Sequence, residues 1–95
     1  MHNTRLSSIE SYNDLVPKLG ARQAEVLRIV EASGNATNSE IAQVLNRAIN
    51  TIVPRCHELR EKGLVSKAGR RKCRVTLRNV NAWKIGKIDF QNDLF

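Results

Sequence analysis

A chain of 95 residues with 41% hydrophobic side chains can bury one small core and is too apolar to stay disordered. That size leaves little interior for a catalytic pocket with its own supporting shell, and no apolar run approaches the length of a membrane span. The formal net charge of +7 is unevenly placed: residues 1–66 carry eight basic and seven acidic side chains, whereas 67–86 carry seven basic and no acidic ones. A concentrated cationic segment points to a polyanionic partner, and nucleic acid is the commonest.

In chain order, residues 1–10 are polar and aperiodic and read as a flexible arm. Ser11 and Asp14 open a short helical turn over 12–16, closed off by Pro17 and Gly20. A first long helix spans 21–33, where Gln23, Val26, Leu27 and Val30 recur at the spacing of one helical face and Gly34 follows as a C-terminal stop. Thr37-Asn38-Ser39-Glu40 is a capping box, and the helix it starts buries Ile41, Ala42 and Leu45 before Asn46, a residue suited to a left-handed turn.

A third helix follows over about 48–62, with Ile49, Ile52, Cys56 and Leu59 as its buried stripe and Gly63 as its end. Arg47, Asn50, Thr51, Pro54, Arg55 and Glu58 fall on its outward side. Pro54 is disfavoured inside a helix, so either regular helix starts near Thr51, with Thr51 as cap after an irregular turn at 47–50, or the helix is kinked at Asn50; the late start is the expectation. The period then changes to that of strands: 64–68 and 80–85 form a β-hairpin, joined by a long cationic tip over 69–79. Trp83 is expected to pack beneath the hairpin against the third helix. Residues 87–95 differ in composition and form a tail.

The order helix, capped short helix, tight turn, helix, basic hairpin resembles the winged helix-turn-helix family of small bacterial and phage regulators. The residues that carry the resemblance are Thr37-Asn38-Ser39-Glu40-Ile41-Ala42, Leu45-Asn46 and Glu58-Leu59-Arg60-Glu61-Lys62-Gly63-Leu64-Val65. The expected fold is α+β, mainly α: a three-helix core with a two-stranded antiparallel wing over 11–86. The resemblance implies double-stranded DNA as partner, with the third helix in the major groove and the wing on the backbone or in the minor groove.

The chemistry agrees. Asn50 can pair bidentately with adenine or serve as a helix cap, Arg55 can pair with guanine or with Glu58 as a surface partner, Thr51 and Pro54 flank them, and Arg47 lies at the turn, placed for a phosphate. Arg70, Arg71, Lys72, Arg74 and Arg78 supply the tip. About six neutralised phosphates give a slope of log affinity against log salt of roughly −5.

The tail contains Gln91-Asn92-Asp93-Leu94-Phe95, similar to the glutamine-led pentapeptide that binds the bacterial sliding clamp. That resemblance implies polar contacts from Gln91 and an apolar plug of Leu94 and Phe95. Folding back onto the domain and pairing of two protomers are the competing uses.

Cys56 and Cys73 are the only cysteines and make neither a disulfide framework nor a zinc-ligand spacing. Cys56 reads as core and Cys73 as a strand residue. With no paired carboxylates, no nucleophile–base set and no glycine-rich phosphate loop, the expectation is a non-enzymatic protein without cofactor or metal. A cytoplasmic, nucleoid-associated transcriptional regulator, monomeric or a weak homodimer, is expected first. A replication or recombination accessory factor that recruits the clamp, and a winged helix used as a protein-interaction module, are the alternatives.

Overall fold

The computed structural model describes residues 19–86, so the arm, the helical turn over 12–16 and the tail with Gln91, Leu94 and Phe95 lie outside the described residues. Among the described residues, three helices and a three-stranded antiparallel sheet make a small mixed α+β fold, in the order α1 (Ala21–Ser33), β1 (Asn35–Ala36), α2 (Asn38–Leu45), α3 (Ile49–Glu61), β2 (Val65–Lys72) and β3 (Asn79–Ile85). No helix among the described residues is long and apolar enough to cross a membrane.

Helix α1 has the bounds its periodicity predicts and buries Val26, Leu27 and Val30. In the capping box of α2, the Glu40 amide donates to Thr37 Oγ1 at 3.2 Å and the Thr37 amide donates to Glu40 Oε1 at 3.1 Å. Asn46 is left-handed, with φ 53° and ψ 49°, and the Arg47 amide reaches back to the Ala42 carbonyl at 3.0 Å. That closure ends α2 and turns the chain into α3 within three residues. Helix α3 ends in the same way: Gly63 has φ 79°, and the Leu64 amide donates to the Leu59 carbonyl at 2.9 Å, with both leucines buried.

The start of α3 differs from the expectation. Its cap is Ala48 and its first residue Ile49, and the Thr51 hydroxyl donates to the Ala48 carbonyl at 2.6 Å instead of capping an amide. Pro54 therefore lies inside the helix, at its sixth position. Pro54 has no N–H for the Asn50 carbonyl, and both residues are exposed, so water can satisfy that carbonyl. Ile52, Cys56 and Leu59 are buried as predicted, whereas Ile49 is 46% exposed and is not core.

The expected two-stranded hairpin is the larger part of a sheet ordered β1-β3-β2. The added strand is the two-residue segment Asn35–Ala36, which pairs with Lys84 and Trp83 of the central strand. The hairpin strands are also longer than predicted. Residues 69–72 belong to β2, and one extra residue is accommodated between the pairs Lys67↔Trp83 and Gly69↔Ala82. Gly69, at φ 106°, takes the backbone conformation this bulge demands.

The core is a single cluster drawn from all three helices and the sheet, including Val26, Leu27, Ile41, Ile52, Leu59, Leu64 and Trp83. Trp83 is 5% exposed, meets the His57 ring of α3 edge-on at 5.8 Å and donates from its indole nitrogen to Asn38 Oδ1 at 2.8 Å. One side chain thus joins the hairpin to both α2 and α3.

Candidate nucleic-acid interface

The hairpin is fixed to α2 through one carboxylate. Glu40 accepts from the Arg71 guanidinium at 2.6 and 2.8 Å and from the Arg74 amide at 2.9 Å, while its own cap bond to Thr37 persists. Arg71 is extended further by a 2.7 Å bond to Asn35 Oδ1. The Arg71 hydrogen bonds outweigh the burial that opposes ionisation, and with the Arg74 and Thr37 amides they hold the Glu40 carboxyl down at about 2. Glu40 is therefore a charged, nearly buried hub connecting a helix start, strand β1 and the end of β2.

Next to it lies Cys73. It follows β2 instead of lying within the strand, and it is wholly buried. Its sulfur is 3.1 Å from the Thr37 hydroxyl. Burial pushes the thiol up, but hydrogen bonds from Thr37, Thr76 and Val75 together pull it down to about 7. Cys56, buried in the core without such donors, is pushed up to about 12. The two cysteines are free thiols.

Beyond Cys73 the hairpin turns through 74–78. The Cys73 amide donates to the Arg78 carbonyl at 2.8 Å, and the Leu77 amide donates to the Cys73 carbonyl at 2.9 Å. Leu77 closes the turn with φ 65°, a conformation that costs a side-chain-bearing residue about 1–2 kcal/mol. Around this turn Lys72, Arg74 and Arg78 are exposed, and their side chains have no acceptor among the described residues. Arg70 is exposed too and donates to the Asn79 carbonyl at 2.7 Å, which leaves its charge uncompensated.

The tip stands beside the turn between α2 and α3. Val75 lines a shallow surface depression with Ser39, Gln43, Asn46 and Ile49. Along α3 the exposed ridge is Asn50, Pro54, His57 and Glu61, at positions i, i+4, i+7 and i+11 and opposite the buried Ile52, Cys56 and Leu59. This ridge carries one acidic and no permanently cationic side chain.

The remaining predicted residues cluster elsewhere. Arg47, Thr51 and Arg55 line a groove between α1 and the start of α3. Arg47 is held by Glu25 through bonds of 3.1 and 3.2 Å, and Arg55 by Glu58 at 2.8 Å. Glu58 also accepts from Gln23 at 2.8 Å. Bonds from Arg47 lower the Glu25 carboxyl, and bonds from Gln23 and then Arg55 lower that of Glu58.

The candidate residues thus fall into three groups: Lys72, Arg74, Arg78 and Arg70 at the tip; Asn50 and Pro54 on the ridge; Arg47, Thr51 and Arg55 in the groove. Arg71 belongs to none of them, being committed to Glu40. Sequence reasoning assigned Glu40 a capping role and Cys73 a strand position, but did not place either, or Leu77, at the candidate site. For Glu40 a signal existed: a segment with seven cations and no anion must find any carboxylate partner elsewhere in the chain. No protein-family model matches the sequence, and comparison with curated proteins finds no match.

Proposed function

We propose that this chain binds double-stranded DNA as a winged helix-turn-helix protein, with α2 and α3 as the helix-turn-helix and the β2–β3 hairpin as the wing. The observation that carries this proposal is the tip. Lys72, Arg74 and Arg78 are exposed and have no partner among the described residues, at a turn whose base is anchored by Glu40 and Cys73. Cations held without a local anion, on a preorganised strand end beside an exposed helix, suit the phosphates that flank a groove.

In this arrangement the tip carries most of the affinity. The α3 ridge enters the major groove, and Asn50 reads an adenine edge. Arg47 and Arg55 reach DNA only by exchanging their carboxylates for phosphate or base. With so few base-reading groups on the ridge, sequence discrimination is modest. That weak ridge also favours a second reading, a replication or recombination accessory factor that needs little sequence preference and recruits the sliding clamp through Gln91, Leu94 and Phe95.

Selection from a pool of random duplexes at physiological salt tests the proposal. Retention of duplex with an enriched motif centred on an adenine supports the transcriptional regulator. Retention without a motif supports the accessory factor, and clamp binding lost in Leu94→Ala/Phe95→Ala completes that case. No duplex retained above background refutes DNA binding and leaves a protein-interaction module.

A further inference from the structure

The most exposed large apolar side chain among the described residues is Leu77, at 65%. It is not part of the core among the described residues. It occupies a left-handed position, φ 65°, that glycine or asparagine would take with less strain. Strained, exposed residues held by a rigid frame mark sites of function more often than accidents of folding.

The frame here is rigid. The base of the turn is closed by the Cys73–Arg78 and Leu77–Cys73 backbone bonds, Cys73 is buried beneath it, and the Arg74 amide is tied to Glu40. Arg74 and Arg78 bracket the leucine with unpartnered charge. An apolar tip between two cations has a specific complement: a minor groove, whose phosphates lie on either side and whose floor is the edge of stacked bases.

We infer that Leu77 is a wedge that enters the minor groove between two base pairs and bends the duplex, while Arg74 and Arg78 neutralise the phosphates on either side. This rests on the duplex-binding proposal and adds to it a mode of distortion. The wedge favours sites with a TA or CA/TG step under the tip, because those steps unstack most easily, and disfavours stiff A-tracts. Specificity would then arise partly at base pairs that no side chain reads, in keeping with the sparse α3 ridge.

The test uses a duplex of about 30 base pairs labelled at both ends, with 2-aminopurine beside a central TA step. Wild-type protein is expected to bind, shorten the end-to-end distance and raise the 2-aminopurine emission. It should also prefer the TA duplex over an A-tract duplex by about tenfold. The Leu77→Gly variant suits the left-handed position and keeps the fold. It should still bind, leave the duplex straight and lose the TA preference. Thermal melting of both proteins without DNA checks that the variant folds.

Wild-type binding to a straight duplex with unchanged 2-aminopurine overturns the wedge and leaves DNA binding intact. Equal bending by wild type and Leu77→Gly overturns it as well. Absence of any binding by folded wild-type protein overturns the duplex proposal and the wedge together.

Discussion

Two sets of cationic side chains flank α3, and they are in opposite states. On the α1 side, Arg47 and Arg55 each meet a glutamate, Glu25 and Glu58, with Glu25 shared with Arg22. At the hairpin tip, Lys72, Arg74 and Arg78 meet none among the described residues. The side chains are alike, and the difference lies in where the acids are. Seven of the nine acidic residues precede residue 67, and those of the described helices are available to helix cations. A count of charge along the chain therefore overstates what a partner can use. Available charge is what remains after the fold has made its own pairs, and Arg71 shows it within the tip segment itself, where Glu40 takes it up.

The contrast can be broken most forcefully at the tip. Lys72→Ala/Arg74→Ala/Arg78→Ala should weaken duplex binding by about a hundred- to a thousandfold at low salt, as measured by fluorescence anisotropy, because each lost phosphate contact is worth about 1 kcal/mol or more. The melting temperature should not fall, since these exposed side chains make no hydrogen bond or ion pair among the described residues.

Glu40→Ala comes next. It leaves Arg71 and the Thr37 and Arg74 amides without their acceptor, and should cost about 3 kcal/mol of stability by denaturant unfolding. DNA binding should weaken with it, because the tip loses its anchor. The same hub gives a pH signature. Its carboxyl lies at about 2 in the folded chain against an ordinary 4.5, so the unfolded chain binds the extra proton in between. The stability it contributes is complete above about 4.5 and is lost as pH falls toward 2. Melting temperatures followed through that window should fall more steeply for wild type than for Glu40→Gln.

The smallest effect sharpens the contrast from the other side. Glu25→Gln/Glu58→Gln frees Arg47 and Arg55, and should raise duplex affinity about two- to fivefold at low salt if these arginines lie within reach of phosphates. Unchanged affinity would assign them to holding α3 on α1.

Where local chemistry decides the structure, the sequence displays it. The stripe of Val26, Leu27 and Val30, the Thr37–Glu40 box, the Asn46 turn and the Gly63 stop each set an element boundary through contacts within a few residues, and each appears where expected. Contacts over longer separations were less legible, although Trp83 does pack against α3 as expected. Asn35–Ala36 is too short to show a period and becomes a strand only because β3 is beside it. The tip segment looked like a loop because its polar residues hide a strand that a bulge at Gly69 keeps in register. Ile49 has the spacing of a core residue but sits in the first turn of α3, where its neighbours leave it 46% exposed. For the candidate site, residue types identified the cations, while their availability depended on Glu25, Glu40 and Glu58, contributed from positions 3 to 31 residues away.

The central claim is that a duplex is held chiefly by the uncompensated charges of one hairpin tip. Affinity for a mixed-sequence duplex, measured against salt concentration for wild type and for the tip triple variant, tests it most directly. Four contacts, from Arg70, Lys72, Arg74 and Arg78, give a slope of about −3.6 in log affinity against log salt, smaller than the −5 that counting charges alone would give, and the variant should fall to about −0.9. A wild-type slope near zero, or equal slopes for the two proteins, would contradict it.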